Sequence, residues 1–284
     1  MLGVAACSAD TGQDGDEPTE EEIAASLNGT VVPEKSDAIA AIPWATVGAG
    51  VSYKKVGAGA DVLIVYGGYT AQDVFSQRWA DELVRDKLGA DGVGHLYAVK
   101  GPNQSGYANR EIGNTKLVTH LSQASRAKNA SRIIVIAHSS GTYVATELLQ
   151  QLGREVTGEL PASTLGKIDL FNLDGGGLDA SLVKKLSHAY FVWACDPKIG
   201  RCSHNAGGMQ ALGSEFASQG GGIKVNASGS GCSSSAAGGL WCMHDTLINT
   251  RPHNPAMYDL LDDYTDFSSA GRSVVTSYLD VLEH

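Results

Sequence analysis

The chain has 284 residues and a mass of 29.6 kDa, with 43% hydrophobic and 18% charged residues. No run of about 18 apolar residues occurs, which excludes a membrane-spanning helix. The formal net charge is −10, but residues 1–34 hold eight of the 31 acidic residues and none of the 21 basic ones. The remaining chain therefore has 21 basic against 23 acidic residues, and it lacks the basic surface of a nucleic-acid-binding protein.

The first 40 residues predict an export signal and a linker. Residues 4–7 (VAAC) resemble a bacterial lipobox, and this resemblance implies lipidation of Cys7. The segment SADTGQDGDEPTEEE that follows is acidic and has no aromatic residue, which is typical of disordered chain. We assign residues 1–40 to a truncated signal with a linker and residues 41–284 to one domain. We expect a secreted or cell-envelope protein that meets the membrane only through Cys7.

Short apolar runs alternate with amphipathic segments along this domain. Strands are predicted at Val62–Tyr66, His95–Val99, Arg132–Ala137, Ile168–Leu173, Ala189–Ala194 and Gly222–Val225. Helical spacing is marked by Phe75, Trp79 and Leu83; by Ile112, Leu117, Leu121 and Ala124; by Val144, Leu148 and Leu152; by Leu182–Leu186; and by Val274, Tyr278 and Leu282. Continuously apolar strands that alternate with helices indicate an α/β fold, a mostly parallel sheet covered on both faces.

The segment Gly200–Thr250 is rich in Gly and Ser, so we expect a loop built around one strand. No long insertion separates Leu152 from Ala189, so no large helical lid is expected there.

The sequence Ala137-His138-Ser139-Ser140-Gly141 joins the clearest strand to a helix. It follows the nucleophile-elbow pattern G-x-S-x-G with Ala at the first position, and the tight turn requires small residues on both sides of the serine. Over residues 50–284 the chain therefore resembles the α/β-hydrolase superfamily. The resemblance implies the α/β-hydrolase fold, Ser139 as the nucleophile and the Ser140 N–H as an oxyanion-hole donor.

A second oxyanion donor is expected in the loop after Val62–Tyr66. The sequence Gly68-Tyr69-Thr70-Ala71 looks like the matching segment of bacterial cutinase-like polyester hydrolases. That resemblance implies that the Tyr69 N–H is the second donor. The elbow departs from the Gly-x-Ser-Met-Gly common in polyester hydrolases, which weakens a specific polyester assignment.

The general base is expected on a loop after the last strand, because superfamily order is nucleophile, acid, base. Of the eight histidines, only His204, His244 and His253 have suitable positions. We favour His244, in the sequence Trp241-Cys242-Met243-His244-Asp245, and keep His253 as the fallback.

Two aspartates fit the acid that orients the base. Asp196 follows the predicted strand Ala189–Ala194, which is the commoner position in the superfamily, and we favour it. Asp174 follows the preceding strand. Animal triglyceride lipases resemble that second arrangement, and they carry a Cys-x-His at the base, as Cys242-Met243-His244 does here. Asp174 is therefore the alternative acid.

Four cysteines lie in the last third of the chain, and an even number in an exported protein favours disulfides. Three pairings are possible, and we favour the local one, Cys195–Cys202 with Cys232–Cys242. No CxxC spacing occurs, so no metal site is predicted.

Together these residues predict a serine hydrolase that cleaves carboxylic esters through an acyl-enzyme, without metal or organic cofactor. An open, cutinase-like site would suit small-molecule or polymeric esters, and we expect a monomer. Two alternatives remain: an amidase or acyltransferase with the same triad, and a catalytically silent surface-binding protein on this fold.

Overall fold

The computed structural model describes residues 36–68, 73–84, 92–102, 110–154, 160–176, 178–228, 232, 243–244 and 247–248. These residues belong to one compact unit, Lys35–His284. The predictions for Cys7, Tyr69, Cys242, His253 and the helix over 274–282 lie outside the described residues. Within these ranges no helix combines the length and hydrophobicity that crossing a membrane would need.

Nine strands of the described chain form a single sheet. They are β1 (Ala45–Gly48), β2 (Val51–Lys55), β3 (Asp61–Tyr66), β4 (Val93–Val99), β5 (Ile133–His138), β6 (Ile168–Leu173), β7 (His188–Asp196), β8 (Arg201–Cys202) and β9 (Gly220–Asn226). Their order is β1-β2-β4-β3-β5-β6-β7-β9, and β8 pairs only with the end of β7. Strand β2 is antiparallel to both neighbours, whereas the pairs from β4 to β9 along this order are parallel.

Helices cover both faces of the sheet. The α-helices of the described ranges are α1 (Ser36–Ala41), α2 (Asp73–Leu83), α3 (Arg110–Ser122), α4 (Arg126–Asn129), α5 (Gly141–Arg154), α6 (Ala180–Val183) and α7 (Ala206–Glu215). Alternate residues of β3 enter two separate core clusters. Ile64 packs with α3 and α5, while Leu63 packs with α2 and the segment that contains Met243. Because β3, β5 and β6 are buried at every position, the predicted mostly parallel, doubly covered sheet is confirmed.

The Gly-rich region from residue 200 contains more structure than we predicted. It holds strand β8 and helix α7 as well as the expected strand β9, so the prediction of one strand within a loop is wrong. Glycine is required where α7 meets β9, since a Cβ on Gly213 would lie 2.5 Å from the Cα of Gly222. Close packing, rather than loop flexibility, accounts for Gly213 and Gly222.

Three further differences lie toward the first half of the domain. Strands β1 and β2 were missed because they are short and partly polar; β2 even buries Lys54, whose Nζ donates to both Asp81 oxygens and to the Ile39 carbonyl. Residues 36–40, which we assigned to the linker, belong to α1, where Ile39 is buried. Ala124 lies beyond α3 with φ +50° and is exposed, so its predicted place on the helix face is wrong.

Candidate active site

Ser139 occupies the sharp turn between β5 and α5. Its φ is +54°, a left-handed conformation that costs a non-glycine residue about 1–2 kcal/mol. The turn is held from both sides: the Ser139 N–H donates to the Leu173 carbonyl at 2.9 Å, and the Ser139 carbonyl accepts from the Thr142 N–H at 3.1 Å. A Cβ on Gly141 would overlap the Gly67 carbonyl, which explains the small residue two positions after the serine.

The loop after β3 begins directly beside Ser139. A Cβ on Gly68 would lie 3.3 Å from the Ser139 Cβ and 2.9 Å from the His138 Nδ1. Only glycine fits there without displacing a neighbour. The structure thus brings the start of the predicted oxyanion segment to the nucleophile, while the role of Tyr69 stays a prediction.

Asp174 and His244 form a buried pair at the same edge of the sheet. The His244 Nδ1 lies 2.5 Å from the Asp174 Oδ2, and the two residues are 3% and 0% exposed. An ionised carboxylate can only accept, so Nδ1 carries the proton and Nε2 is left as the basic nitrogen. This is the tautomer that a general base requires.

Asp196 lies elsewhere, and the prediction that it pairs with His244 is wrong. Strand β7 runs two residues beyond Ala194 and closes a hairpin in which Asp196 faces Arg201. The Asp196 Oδ1 accepts from the Lys198 N–H at 2.8 Å and, more distantly, from the Ser228 hydroxyl at 3.4 Å. Its carboxylate therefore caps its own turn, and the alternative acid, Asp174, is the one that meets His244.

No sequence pattern predicted the residues that hold the Asp174 carboxylate. The Ser203 hydroxyl donates to Oδ1 at 2.7 Å, and the Asn205 N–H lies 3.1 Å from each oxygen. The Asn205 side-chain amide donates to the Asp174 carbonyl at 2.7 Å. Asp174 itself has φ +48°, so these bonds hold the residue in an uncommon conformation.

His138 is a second residue whose contact the sequence did not reveal. Its ring centroid lies 4.5 Å from that of His244. Its Nε2 is 3.1 Å from the His244 carbonyl, which can only accept, so Nε2 is the donor. Because His138 immediately precedes Ser139, this contact holds the segment of His244 against the elbow.

The predicted disulfide Cys195–Cys202 is present and links β7 to β8. Cys232 is also disulfide-bonded, and the pairing with Cys242 stays a prediction, since Cys242 lies outside the described residues. Across the described ranges, no group of three or more His, Cys, Asp or Glu side chains is arranged to hold a metal ion.

Residues 106–187, less than a third of the chain, match a family described as "Alpha/beta hydrolase of unknown function (DUF900)". Together with the strand order and the elbow, this match confirms the predicted α/β-hydrolase fold and the resemblance to that superfamily. No curated protein sequence matches the chain.

Several solved structures are similar to parts of this chain. A lipase-esterase related protein from Clostridium acetobutylicum is 17% identical over 48% of this chain and 53% of its own, with a TM-score of 0.29; the match thus spans about half of that protein. The iron-lacking apo form of EstFA is 11% identical over 90% of this chain and 87% of its own, with a TM-score of 0.48. An esterase from Pyrobaculum calidifontis is 12% identical over 73% of this chain and 81% of its own, with a TM-score of 0.37. Such values identify neither a substrate nor an activity for this chain.

Proposed function

We propose that the protein is a serine hydrolase that cleaves carboxylic esters through an acyl-enzyme. Ser139 is the nucleophile, His244 the general base and Asp174 the acid that orients it. The observation that carries the proposal is the buried hydrogen bond between Asp174 and His244 beside an elbow serine with φ +54°. Nucleophilic acyl transfer requires a serine nucleophile, a base in the correct tautomer and an acid that orients the base.

In the acylation half-reaction, the Ser139 Oγ bonds to the ester carbonyl carbon and its proton passes to the His244 Nε2. The carbonyl oxygen becomes an oxyanion, which the Ser140 and Tyr69 N–H groups stabilise. Asp174 stays ionised and stabilises the imidazolium. The tetrahedral intermediate then breaks its bond to the leaving alkoxy oxygen, which takes the proton from Nε2 and departs as an alcohol.

In the deacylation half-reaction, water takes the place of the alcohol. The His244 Nε2 removes a proton from the water as its oxygen bonds to the acyl carbon. The second intermediate breaks the bond to the Ser139 Oγ, which takes the proton back, and a carboxylic acid leaves. The triad permits the same sequence of steps with an amide substrate, or with an alcohol acceptor in place of water.

The test is covalent labelling with a fluorophosphonate probe, followed by peptide mapping and by rates on p-nitrophenyl butyrate. The probe should modify Ser139, and Ser139→Ala should abolish labelling and lower kcat by about 10³-fold or more. Faster turnover of the matched anilide than of the ester would instead favour an amidase. Transfer of the acyl group to an added alcohol in preference to water would favour an acyltransferase.

Ser214→Ala is the matched control. Ser214 is an exposed serine of α7 whose hydroxyl donates to the Gln210 carbonyl within the same helix, so its removal should leave both labelling and kcat unchanged. A folded wild-type protein that neither labels nor turns over esters, amides or acyl acceptors would contradict the proposal and favour a silent binding protein.

A further inference from the structure

The Asp174 carboxylate is held by a segment that is remote in sequence from both Asp174 and His244. Residues 203–205 follow strand β8, about 30 residues after Asp174. Within the described ranges they supply three of the four hydrogen-bond contacts of its carboxylate oxygens. We propose that Ser203 and Asn205 are positioning residues, which aim the Asp174 Oδ2 at the His244 Nδ1. This inference rests on the proposed function, because it concerns the acid of the same triad.

Among the described residues, His244 is the only basic side chain paired with the Asp174 carboxylate. Asp174 is fully buried, and in the described part of the chain no lysine or arginine forms a salt bridge with it. A buried carboxylate must then be stabilised by hydrogen bonds, and bonds to an ionised acceptor are the stronger kind. The Ser203 hydroxyl and the Asn205 N–H supply this stabilisation in the resting state.

The two donors also set the orientation of the carboxylate plane toward His244. Ser203 donates to Oδ1 alone, at 2.7 Å, whereas Asn205 shares its N–H between Oδ1 and Oδ2. A partial rotation of the carboxylate about its Cβ–Cγ bond would break the Ser203 bond. The carboxylate plane is therefore held with one oxygen at Ser203 and the other directed at the His244 Nδ1.

The hairpin that carries Ser203 is itself anchored on both strands. The Cys195–Cys202 disulfide closes it one residue before Ser203. The Ser203 N–H donates to the Ala194 carbonyl at 2.8 Å, and its Oγ accepts from the Ala194 N–H at 3.3 Å. Because Oγ already accepts from the backbone, its single proton is directed toward Asp174. The hydroxyl is thus preorganised as a donor rather than free to rotate.

The deciding variants are Ser203→Ala, which removes the donor, and Ser203→Thr, which keeps a hydroxyl. Since small displacements of a catalytic group cost up to about 10²-fold, Ser203→Ala should lower kcat on p-nitrophenyl butyrate by about 10- to 100-fold at unchanged KM. Ser203→Thr should restore most of that loss. Asn205→Ala keeps its N–H and should cost less than Ser203→Ala.

Ser228→Ala is the matched control, because Ser228 donates to the other strand-end aspartate, Asp196, at 3.4 Å. It should leave kcat unchanged. A purely structural role for Ser203 predicts a lower Tm with the kcat of the folded protein unchanged, and that outcome would overturn the proposal. So would equal kcat losses in the Ala and Thr variants at equal Tm.

A measurement that does not depend on turnover separates this proposal from the proposed function. The proton on the His244 Nδ1, in a short bond to a carboxylate, should give a far-downfield NMR resonance in protein with ¹⁵N-labelled histidine. Loss of that resonance in Ser203→Ala, with its retention in Ser203→Thr and Ser228→Ala, supports the positioning role even if the wild-type protein cleaves no ester. A resonance unchanged in Ser203→Ala overturns it even if ester hydrolysis is found.

Discussion

Asp174 and Asp196 terminate neighbouring parallel strands, yet their surroundings differ completely. Both are nearly inaccessible, at 0% and 4% exposure. Asp174 accepts from His244 and from Ser203 and Asn205, which belong to two segments that are distant from it in the chain. Asp196 accepts from Lys198, two residues away, and from Ser228. The first carboxylate organises distant segments, whereas the second caps a local turn.

The path of the chain after each strand accounts for this difference. After β6 the backbone turns abruptly at Asp174, with φ +48°, and Gly175 packs under the elbow. After β7 the chain continues into an antiparallel hairpin with β8. Hairpin closure uses Asp196 as a turn residue, a role that aspartate often takes because its side chain accepts from the N–H two residues on. In this chain, the carboxylate that meets His244 is the one at which the backbone leaves the sheet.

The largest expected effect is that of Asp174→Asn. If Asp174 orients the base, Asn should cost about 10⁴-fold in kcat, because it can hold the wrong imidazole tautomer. Asp196→Asn is the matched control: its amide oxygen can still accept from Lys198 and Ser228, so kcat should stay near the wild-type value. Steady-state kinetics on p-nitrophenyl butyrate measure both, and the reverse ranking would return Asp196 to the acid position.

The next effect concerns the turn after each strand. A Cβ on Gly175 would lie 2.6 Å from the Asn172 Oδ1 and 2.7 Å from the Ser139 carbonyl, so Gly175→Ala should destabilise the fold by about 3 kcal/mol. It should also displace the elbow and lower kcat. Gly166→Ala is the control, because Gly166 is exposed and a Cβ there meets nothing within 4 Å. Urea unfolding compares the two, and equal stability of both variants would contradict this account.

The Cys195–Cys202 disulfide should affect both aspartate regions, since it closes the hairpin that holds Asp196 and carries Ser203. Cys195→Ala/Cys202→Ala should lower stability by about 2–3 kcal/mol through the unfolded state. It should also lower kcat at temperatures where the fold persists, because Ser203 loses its anchor. The double variant avoids reducing the disulfide of Cys232. A stable variant with wild-type kcat would show that backbone hydrogen bonds hold the hairpin by themselves.

The smallest expected effect concerns the stability of the fold at acidic pH. Measuring it shows whether a loss of activity at low pH arises at the active site or from partial unfolding. Burial lowers the pKa of His95 from 6.5, and the charges of Arg126 and Lys55 lower it further. Burial likewise lowers the pKa of His120 from 6.5, and Arg126 and His95 lower it further. A depressed folded-state pKa means that the unfolded chain binds more protons. Stability from these residues is therefore complete above pH 6.5 and declines as the pH falls below it.

Urea unfolding measures this decline when it is repeated between about pH 7.5 and about pH 5, the range in which histidines titrate. His95→Gln/His120→Gln should flatten the dependence of stability on pH, while Ser214→Ala, which removes no titratable group, should leave its slope unchanged. A wild-type stability independent of pH over that range would show that both histidines titrate alike in the folded and unfolded chain.

Much of the fold followed from local pattern. The runs Val62–Tyr66 and Ile168–Leu173 predicted β3 and β6 closely because strands buried on both faces are apolar at every position. Predictions were weaker for segments whose buried residues are polar or glycine. Strand β2 buries Lys54 through an ion pair, and α7 is a helix in spite of its glycines. In both, contacts from distant parts of the chain override the local preference.

Local sequence was sufficient to predict the strand–helix alternation, the small residues of the elbow and the pairing of Cys195 with Cys202. Each is a short-range property, set by side-chain size, periodicity or loop length. The contact of His244 with Asp174 rather than Asp196, and the hydrogen bonds of Asp174 with Ser203 and Asn205, depend on long-range packing. Adjacent parallel strands bring both carboxylates to one edge of the sheet, so their order along the chain cannot distinguish them. The direction in which the backbone leaves each strand distinguishes the two carboxylates. For Asp174 this direction is held by contacts with segments about 30 to 70 residues away in sequence.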